Sequence, residues 1–310
     1  MAKRVSIINF KGGVGKTTLA FHFATGLARY HDEDRVLLVD MDHQSSLSIL
    51  CLGPDAWEQA VEEERTIDEV FKPFVGRRPE LPNSELIVQN PKKKRAYATL
   101  DLVPASLQLD DTEIELTASH QGNAIQSEWN KRTLICRWLE FAEVDNRYDY
   151  IIFDCPPATK IVSQNAIAAS HGYIIPVVPE AVMERGAPHL HQMVRSGIDG
   201  RLRALAAMGE PRAMFVPETQ LIGLAITRIQ TSRGYSGYTD DHTQHLRSLE
   251  RHWGDALAKP YIVQGTGVSQ ALADGVPVYD RSHTQNVRGR GLDTQFKELT
   301  NELKRRIDAL

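Results

Sequence analysis

Cysteine is scarce in this 310-residue chain: Cys51, Cys136 and Cys155 stand far apart, with no C-x-x-C pair among them. Such spacing suggests neither a disulfide framework nor a zinc site, and it fits a reducing compartment. Long apolar runs are missing too. No stretch approaches the ~18 residues needed to span a bilayer, and Met1-Ala2-Lys3-Arg4 leads into a strand pattern rather than a signal peptide. The expectation is a soluble, cytoplasmic protein without integral membrane association. Charge of one sign is also lacking: the net charge is −4, which speaks against coating nucleic acid by bulk charge alone. The distribution is uneven, however. Residues 1–180 carry 19 Lys+Arg against 26 Asp+Glu, and residues 181–310 carry 17 against 14. Between Arg185 and Arg251 lysine is absent, and nine arginines face six acids. Guanidinium forks grip phosphate oxygens well, so this half is the candidate for a basic face.

What the chain does have is 42% hydrophobic and 25% charged residues, enough for the core of one large α/β domain. Its most informative stretch is Phe10-Lys11-Gly12-Gly13-Val14-Gly15-Lys16-Thr17-Thr18, between the apolar run Val5–Ile8 and a helical pattern with Leu19, Phe23, Leu27 and Tyr30 on one face. A strand, a glycine loop and a helix in that order place backbone N–H groups and the positive end of a helix dipole at an anion. Nucleotide phosphates are the expected ligand, with Lys16 on the β/γ-phosphates and the Thr17 hydroxyl completing a Mg²⁺ shell. Phe10 stands where the ordinary motif begins with glycine, and a second lysine, Lys11, sits inside the loop.

Two further runs end in carboxylates. Arg35-Val36-Leu37-Leu38-Val39-Asp40 and Tyr148-Asp149-Tyr150-Ile151-Ile152-Phe153-Asp154 are continuous apolar strands of the kind found in parallel sheets covered on both faces. Carboxylates at such strand ends line the ligand crevice of doubly wound sheets, which puts Asp40, Asp42 and Asp154 near the phosphates. For Asp42 the plainer alternative is capping of a helix starting near Ser45.

With its second lysine, the loop resembles the deviant Walker A motif, K-G-G-x-G-K-T/S-T/S, of the ParA/MinD family of P-loop ATPases. Asp40-Met41-Asp42-His43-Gln44 resembles that family's D-x-D-P-Q, with His43 replacing proline, and Asp154-Cys155-Pro156-Pro157 resembles its ParA branch. Leu102-Val103-Pro104-Ala105-Ser106, Asn165-Ala166, Pro179-Glu180 and Ala271 to Val278 continue the likeness. The resemblance implies a doubly wound, mainly parallel sheet with helices on both faces, one domain over 1–310, and an irregular elaboration at about 53–104. It implies ATP and Mg²⁺ as cofactors: Lys11, Gly12, Gly13, Val14, Gly15, Lys16, Thr17 and Thr18 around the phosphates, and base contacts near Pro179. Thr17, Asp40 and Asp154 would hold the metal. Lys11, Lys16 and Asp42 would be catalytic, Lys11 by crossing to the nucleotide of a partner subunit and Asp42 by orienting the attacking water.

The same resemblance implies an ATP-sandwich homodimer with weak intrinsic hydrolysis. Such a dimer binds DNA non-specifically, associates with the nucleoid, and is released when an adaptor stimulates hydrolysis, serving plasmid or chromosome partition or cargo positioning. Arg195, Arg201, Arg203, Arg228 and Arg233 are the DNA-contact candidates. The alternatives are a MinD-like membrane-associated regulator of site placement and an ATP-gated metal-cluster or electron-transfer protein; the latter needs cluster cysteines that the spacing does not offer.

Several local readings complete the sequence. Helices are expected at Asp55–Glu64, Thr66–Phe71, Leu107–Ala118, Glu128–Ala142 (Trp129, Leu134, Trp138 and Phe141 on its buried side), Met183–Met208 and Leu292–Ala309 (a packing helix with Phe296, Leu299, Leu303 and Ile307 along one stripe), and strands at Val5–Asn9, Glu85–Gln89, Gly172–Val178, Leu221–Thr227 and Tyr261–Val263. The run Lys92-Lys93-Lys94-Arg95 reads as a solvated loop tip or a DNA-phosphate contact. Asn130-Lys131-Arg132-Thr133 begins like the guanine-reading N-K-x-D motif but lacks its aspartate and sits in a helical pattern, which favours ATP over GTP. The His189/His191 and His242/His245 pairs read as surface groups rather than metal ligands. No helix-turn-helix extension precedes the first strand, so sequence-specific operator binding is not expected.

Overall fold

The computed structural model describes residues 1–232 and 237–310. Its centre is a sheet of strands β1 (Lys3–Ile7), β2 (Val36–Asp40), β3 (Val88–Gln89), β4 (Leu100–Val103), β5 (Tyr150–Asp154), β6 (Gly172–Val177), β7 (Gln220–Ile226) and β8 (Leu257–Ala258). They lie in the order β3-β4-β2-β5-β1-β6-β7-β8, parallel throughout except for β3, which runs antiparallel to β4. This is the doubly wound sheet expected. The central strands are buried along their whole length, as their unbroken apolar runs require when helices cover both faces.

One face is covered by the helices Ala124–Arg132, Leu134–Phe141, Ile161–Ala168 and Ala181–Gln192, which pack around Trp129, Trp138, Leu190 and Val194. On the other face the helix Lys16–Tyr30 lies against Leu292–Asp308, and Phe23, Leu27, Phe296, Leu299, Leu303 and Ile307 close that core. The terminal helix is thus a packing helix, as its stripe predicts. Among the described residues no helix is long and apolar enough to cross a membrane.

Several expectations shift. The first strand ends at Ile7; the Asn9 side chain instead donates to the Pro176 carbonyl and accepts from the Lys11 amide, each within 2.9 Å. The expected helix over 128–142 is two helices, broken at Thr133. At the break, the Asn165 carboxamide accepts from the amides of Leu134 (2.8 Å) and Ile135 (3.3 Å) and donates to the Lys131 carbonyl (2.9 Å). A cap supplied by a distant helix leaves no local sequence signal. Phe141, expected inside, is half exposed. Met183–Met208 is helical from Ala181 to Ala206, widened by a π-helical turn at Met193–Ile198. Only Val88–Gln89 of the expected 85–89 strand pairs, after a 3₁₀ turn at Ser84–Leu86. The last strand is Leu257–Ala258 rather than Tyr261–Val263, which retains a single bridge from Val263 to Ile229; the intervening Pro260 has no N–H to give to a ladder.

The irregular 53–104 region is anchored rather than loose. Lys92 donates to the carbonyls of Leu50 (3.0 Å) and Gly275, and Lys94 pairs with Asp280 at 2.7 Å. Half of the basic run therefore ties this region to the C-terminal segment, while Lys93 and Arg95 remain exposed. Lys131 is 1% exposed and donates to the Ser119 carbonyl at 2.9 Å, a structural role far from base recognition.

Candidate functional site

The loop between β1 and the helix Lys16–Tyr30 owes its shape to two left-handed residues, Gly13 (φ 73°) and Gly15 (φ 82°), a region costly for any side chain bearing Cβ. Gly15 immediately precedes the helix, and its carbonyl accepts the first helical bond, from Leu19 at 2.9 Å. The free N–H groups of that helix start face a cleft of about 1530 Å³. Lys16 is 9% exposed, and its ammonium rests on the Lys11 carbonyl at 3.4 Å. From just after β7 the Thr227 hydroxyl donates to the Val14 carbonyl (2.8 Å) and the Arg228 guanidinium to that of Gly13 (2.6 Å). These two contacts brace the loop, and no motif in the sequence marks them.

Phe10 is explained by its neighbour. A Cβ on Gly186 would lie 2.4 Å from the Phe10 ring, so glycine there admits the ring against the helix Ala181–Gln192. The next residue, Lys11, then reaches Glu180, with Nζ 2.6 Å from Oε2. Both groups keep access to solvent.

Asp40 and Asp154 are register partners on adjacent parallel strands, and Ile7, just before the loop, is the register partner of Asp154 on its other side. The two carboxylates are buried differently. Asp40 accepts from the Ser48 amide (2.9 Å), the Ser48 hydroxyl (2.6 Å) and the Asp42 amide (3.1 Å). Its burial nevertheless raises its pKa to about 6 against those hydrogen bonds. Neither oxygen of Asp154 has a hydrogen-bond partner by geometry. Burial, then the charge of Asp40, push its pKa well above the ordinary carboxylate range, while Thr17 and Lys16 favour its charge. A buried acceptor pair left unpartnered beside a phosphate loop fits a hydrated divalent cation, whose waters supply the missing donors. The residues present therefore suit Mg²⁺.

Asp42 does not cap the following helix. That helix begins at Ser46 without a side-chain cap, and the Asp42 carboxylate accepts from the Gln44 amide at 3.1 Å within its own loop, at the edge of the cleft. His43 lies between Asp42 and Asp110, its Nδ1 3.6 and 3.7 Å from their oxygens.

Pro179 is buried after β6. Thr227, Arg228, Gln230 and residues 262–266, which the sequence did not single out for the base, line the cleft together with the phosphate loop. Of the DNA-contact candidates, Arg195 lies exposed on the long helix. Arg201 is paired with Glu128 at 2.7 Å, and Arg203 donates to the Pro217 carbonyl at 3.1 Å. Arg228 belongs to the phosphate loop, because its left-handed backbone (φ 55°) turns the side chain onto Gly13. Arg233 lies outside the described residues.

The three cysteines are buried, and burial pushes the thiols of Cys51 and Cys136 up to about 12 and that of Cys155 higher still. His242 accepts from the Gln230 amide and His245 pairs with Glu184. No metal-binding group of three or more His, Cys, Asp or Glu side chains occurs among the described residues.

Residues 2–204 match the AAA domain family. The chain is 26% identical over 275 residues to the chromosome partitioning protein ParA of Caulobacter vibrioides, covering 88% of this chain and 85% of that one. In fold it is similar to an ATP complex of McdA from Cyanothece (TM-score 0.68, 18% identity, 99% and 96% of the two chains). It is also similar to cobyrinic acid a,c-diamide synthase from Mycobacterium smegmatis with bound ADP and magnesium (TM-score 0.64, 20% identity, 100% and 96%).

Proposed function

The chain belongs to the AAA domain family, within the ParA/MinD group of P-loop ATPases, and from that premise we propose that it is a ParA-type switch that binds and slowly hydrolyses ATP. The observation that carries this reading is the register pair Asp40–Asp154 beside a phosphate loop that contains both Lys11 and Lys16. In this reading Gly12 to Thr18 cradle the phosphates and Lys16 neutralises the β/γ oxygens. Asp42, at the cleft edge, orients the attacking water and accepts its proton. Thr17, Asp40 and Asp154 would hold magnesium, which would supply charge neutralisation at the transferring phosphoryl group. Lys11 leaves Glu180 to reach the nucleotide of a second copy, which makes the ATP-bound state a sandwich homodimer. Dimerisation doubles the number of arginines presented to a duplex, and affinity for phosphates rises steeply with their number. Hydrolysis, stimulated by an adaptor protein, reverses the switch. The biological use is partition of a plasmid or chromosome, or positioning of another cargo, on the nucleoid in the cytoplasm.

The test is binding to a random-sequence DNA duplex with ATP, ADP or no nucleotide, titrated with salt. ATP-dependent, salt-sensitive binding supports the reading. Absence of binding in every nucleotide state, with ATP still bound and hydrolysed, would move the recognised surface to a membrane or a protein.

A further inference from the structure

The residue that departs from the family pattern, His43, stands at a junction of three segments. Its own loop brings Asp42, whose Oδ1 is 3.6 Å from the His43 Nδ1. The helix Leu109–Ala118 brings Asp110, whose Oδ1 is 3.7 Å from the same nitrogen. The segment after β5 brings Lys160, which holds Asp110 at 2.8 Å and Glu113 at 3.0 Å. Glu113 also accepts from the Val162 amide at 3.3 Å, so the helix is fastened to the start of Ile161–Ala168. Asp42 and Asp110 are the charged groups beside the ring, and Lys160 pairs with both Asp110 and Glu113.

The two His43 distances are too long for hydrogen bonds and suit an ion pair, so the attraction depends on the charge of the ring. A protonated ring lies between two carboxylates and draws Asp42 toward Asp110; a neutral ring exerts no such pull. Drawn that way, the Asp42 carboxylate is turned from the cleft that it lines and from the water that it would orient there. Proline, the residue that the resembling pattern carries at this position, has neither charge nor proton to offer.

We propose that His43 is a positioning residue for hydrolysis, a link from Asp42 through Asp110 and Lys160 that couples the loops after β2 and β5 and slows turnover when its ring is protonated. The inference rests on the ATPase reading above. Its size is that of a partly exposed ion pair, which corresponds to about twofold to fivefold in rate.

The experiment measures kcat and KM for ATP from about pH 5.5 to 8.5, the range in which histidine changes charge, on the full chain and on His43→Gln and Asp110→Asn. ATP binding is followed separately with a fluorescent analogue. The full chain should lose about twofold to fivefold more kcat on the acid side than His43→Gln. KM should hold in all three proteins, because the phosphate loop is untouched. Asp110→Asn should reduce the acid loss, and the double variant should add nothing to His43→Gln. Any acid loss arising from Asp40 or Asp154 is common to all the proteins and cancels in the comparison. Coincident pH profiles for the full chain and His43→Gln, with ATP bound and turned over, would overturn the proposal and leave the ATPase reading standing. Absence of ATP binding or of turnover at every pH would overturn both.

Discussion

The Lys11 ammonium lies 2.6 Å from the Glu180 carboxylate of its own chain, although the resemblance assigns this lysine to the nucleotide of a second subunit. The two roles exclude each other, so in the proposed switch Lys11 would have to leave Glu180 before it could reach a γ-phosphate across the dimer. Because both side chains are partly exposed, the pair contributes about 0.2–1 kcal/mol. Glu180→Gln is expected to form the ATP-dependent dimer at protein concentrations up to about 25-fold lower, because each of the two subunits gives up one such pair, and Lys11→Ala to bind ATP yet remain monomeric by light scattering. A normal dimer from Lys11→Ala would remove the cross-subunit role.

Asp154 pays a stability cost for its position: it is buried, unpartnered and close to a second carboxylate. Its raised pKa means that the folded chain holds a proton more tightly than the unfolded one, so ionisation weakens the fold as pH rises through the folded value. Asp154→Asn removes that charge and should raise the melting temperature of the nucleotide-free protein. The same variant should lose the extra stabilisation that Mg²⁺ adds to ATP in a thermal-shift titration. Retained Mg²⁺-dependent stabilisation would place the metal elsewhere.

Arg228 shows why some of the site escapes a linear reading. The resemblance makes it a DNA-contact candidate, but its left-handed backbone and its hydrogen bond to the Gly13 carbonyl are products of the folded chain. Arg228→Ala should weaken ATP binding by loosening the phosphate loop, by about twofold to tenfold for one lost charged hydrogen bond at an exposed site. DNA binding by the ATP-saturated protein should change little, whereas Arg195→Ala should lower its salt dependence. The reverse pattern would return Arg228 to the DNA face.

The phosphate loop, the two strand-end carboxylates and the packing stripe of the last helix were legible because each rests on contiguous residues with a fixed physical period. The Thr133 break, the Lys92 anchor and the support of Val14 by Thr227 were not, because each depends on a partner far along the chain. The loop positions that carry Asp42 and His43 were legible as positions. That the His43 ring meets Asp110 as well as Asp42 depends on how the helix Leu109–Ala118 docks, which no local pattern encodes.

His22 gives the fold a pH dependence separate from the site. Its ring is fully buried, stacked on Phe296 with centroids 4.1 Å apart. Nδ1 lies 2.7 Å from the Thr18 carbonyl, and Nε2 accepts from the Val278 amide at 3.2 Å, an arrangement that requires the neutral ring with its proton on Nδ1. Burial lowers its pKa from 6.5 to about 4, outweighing the hydrogen bond to Thr18. Between those values the unfolded chain takes up a proton that the folded chain refuses, so stability falls as pH drops through this window. At 1.36 kcal/mol per unit the loss approaches about 3 kcal/mol by pH 4. Chemical denaturation of the full chain and of His22→Gln, whose amide can serve both partners, measures the difference. The variant should lose less stability than the full chain between neutral pH and about pH 4. Equal losses in the two proteins would assign the acid sensitivity to other groups, with His171, also lowered to about 4 by burial and by Arg4, the next to replace.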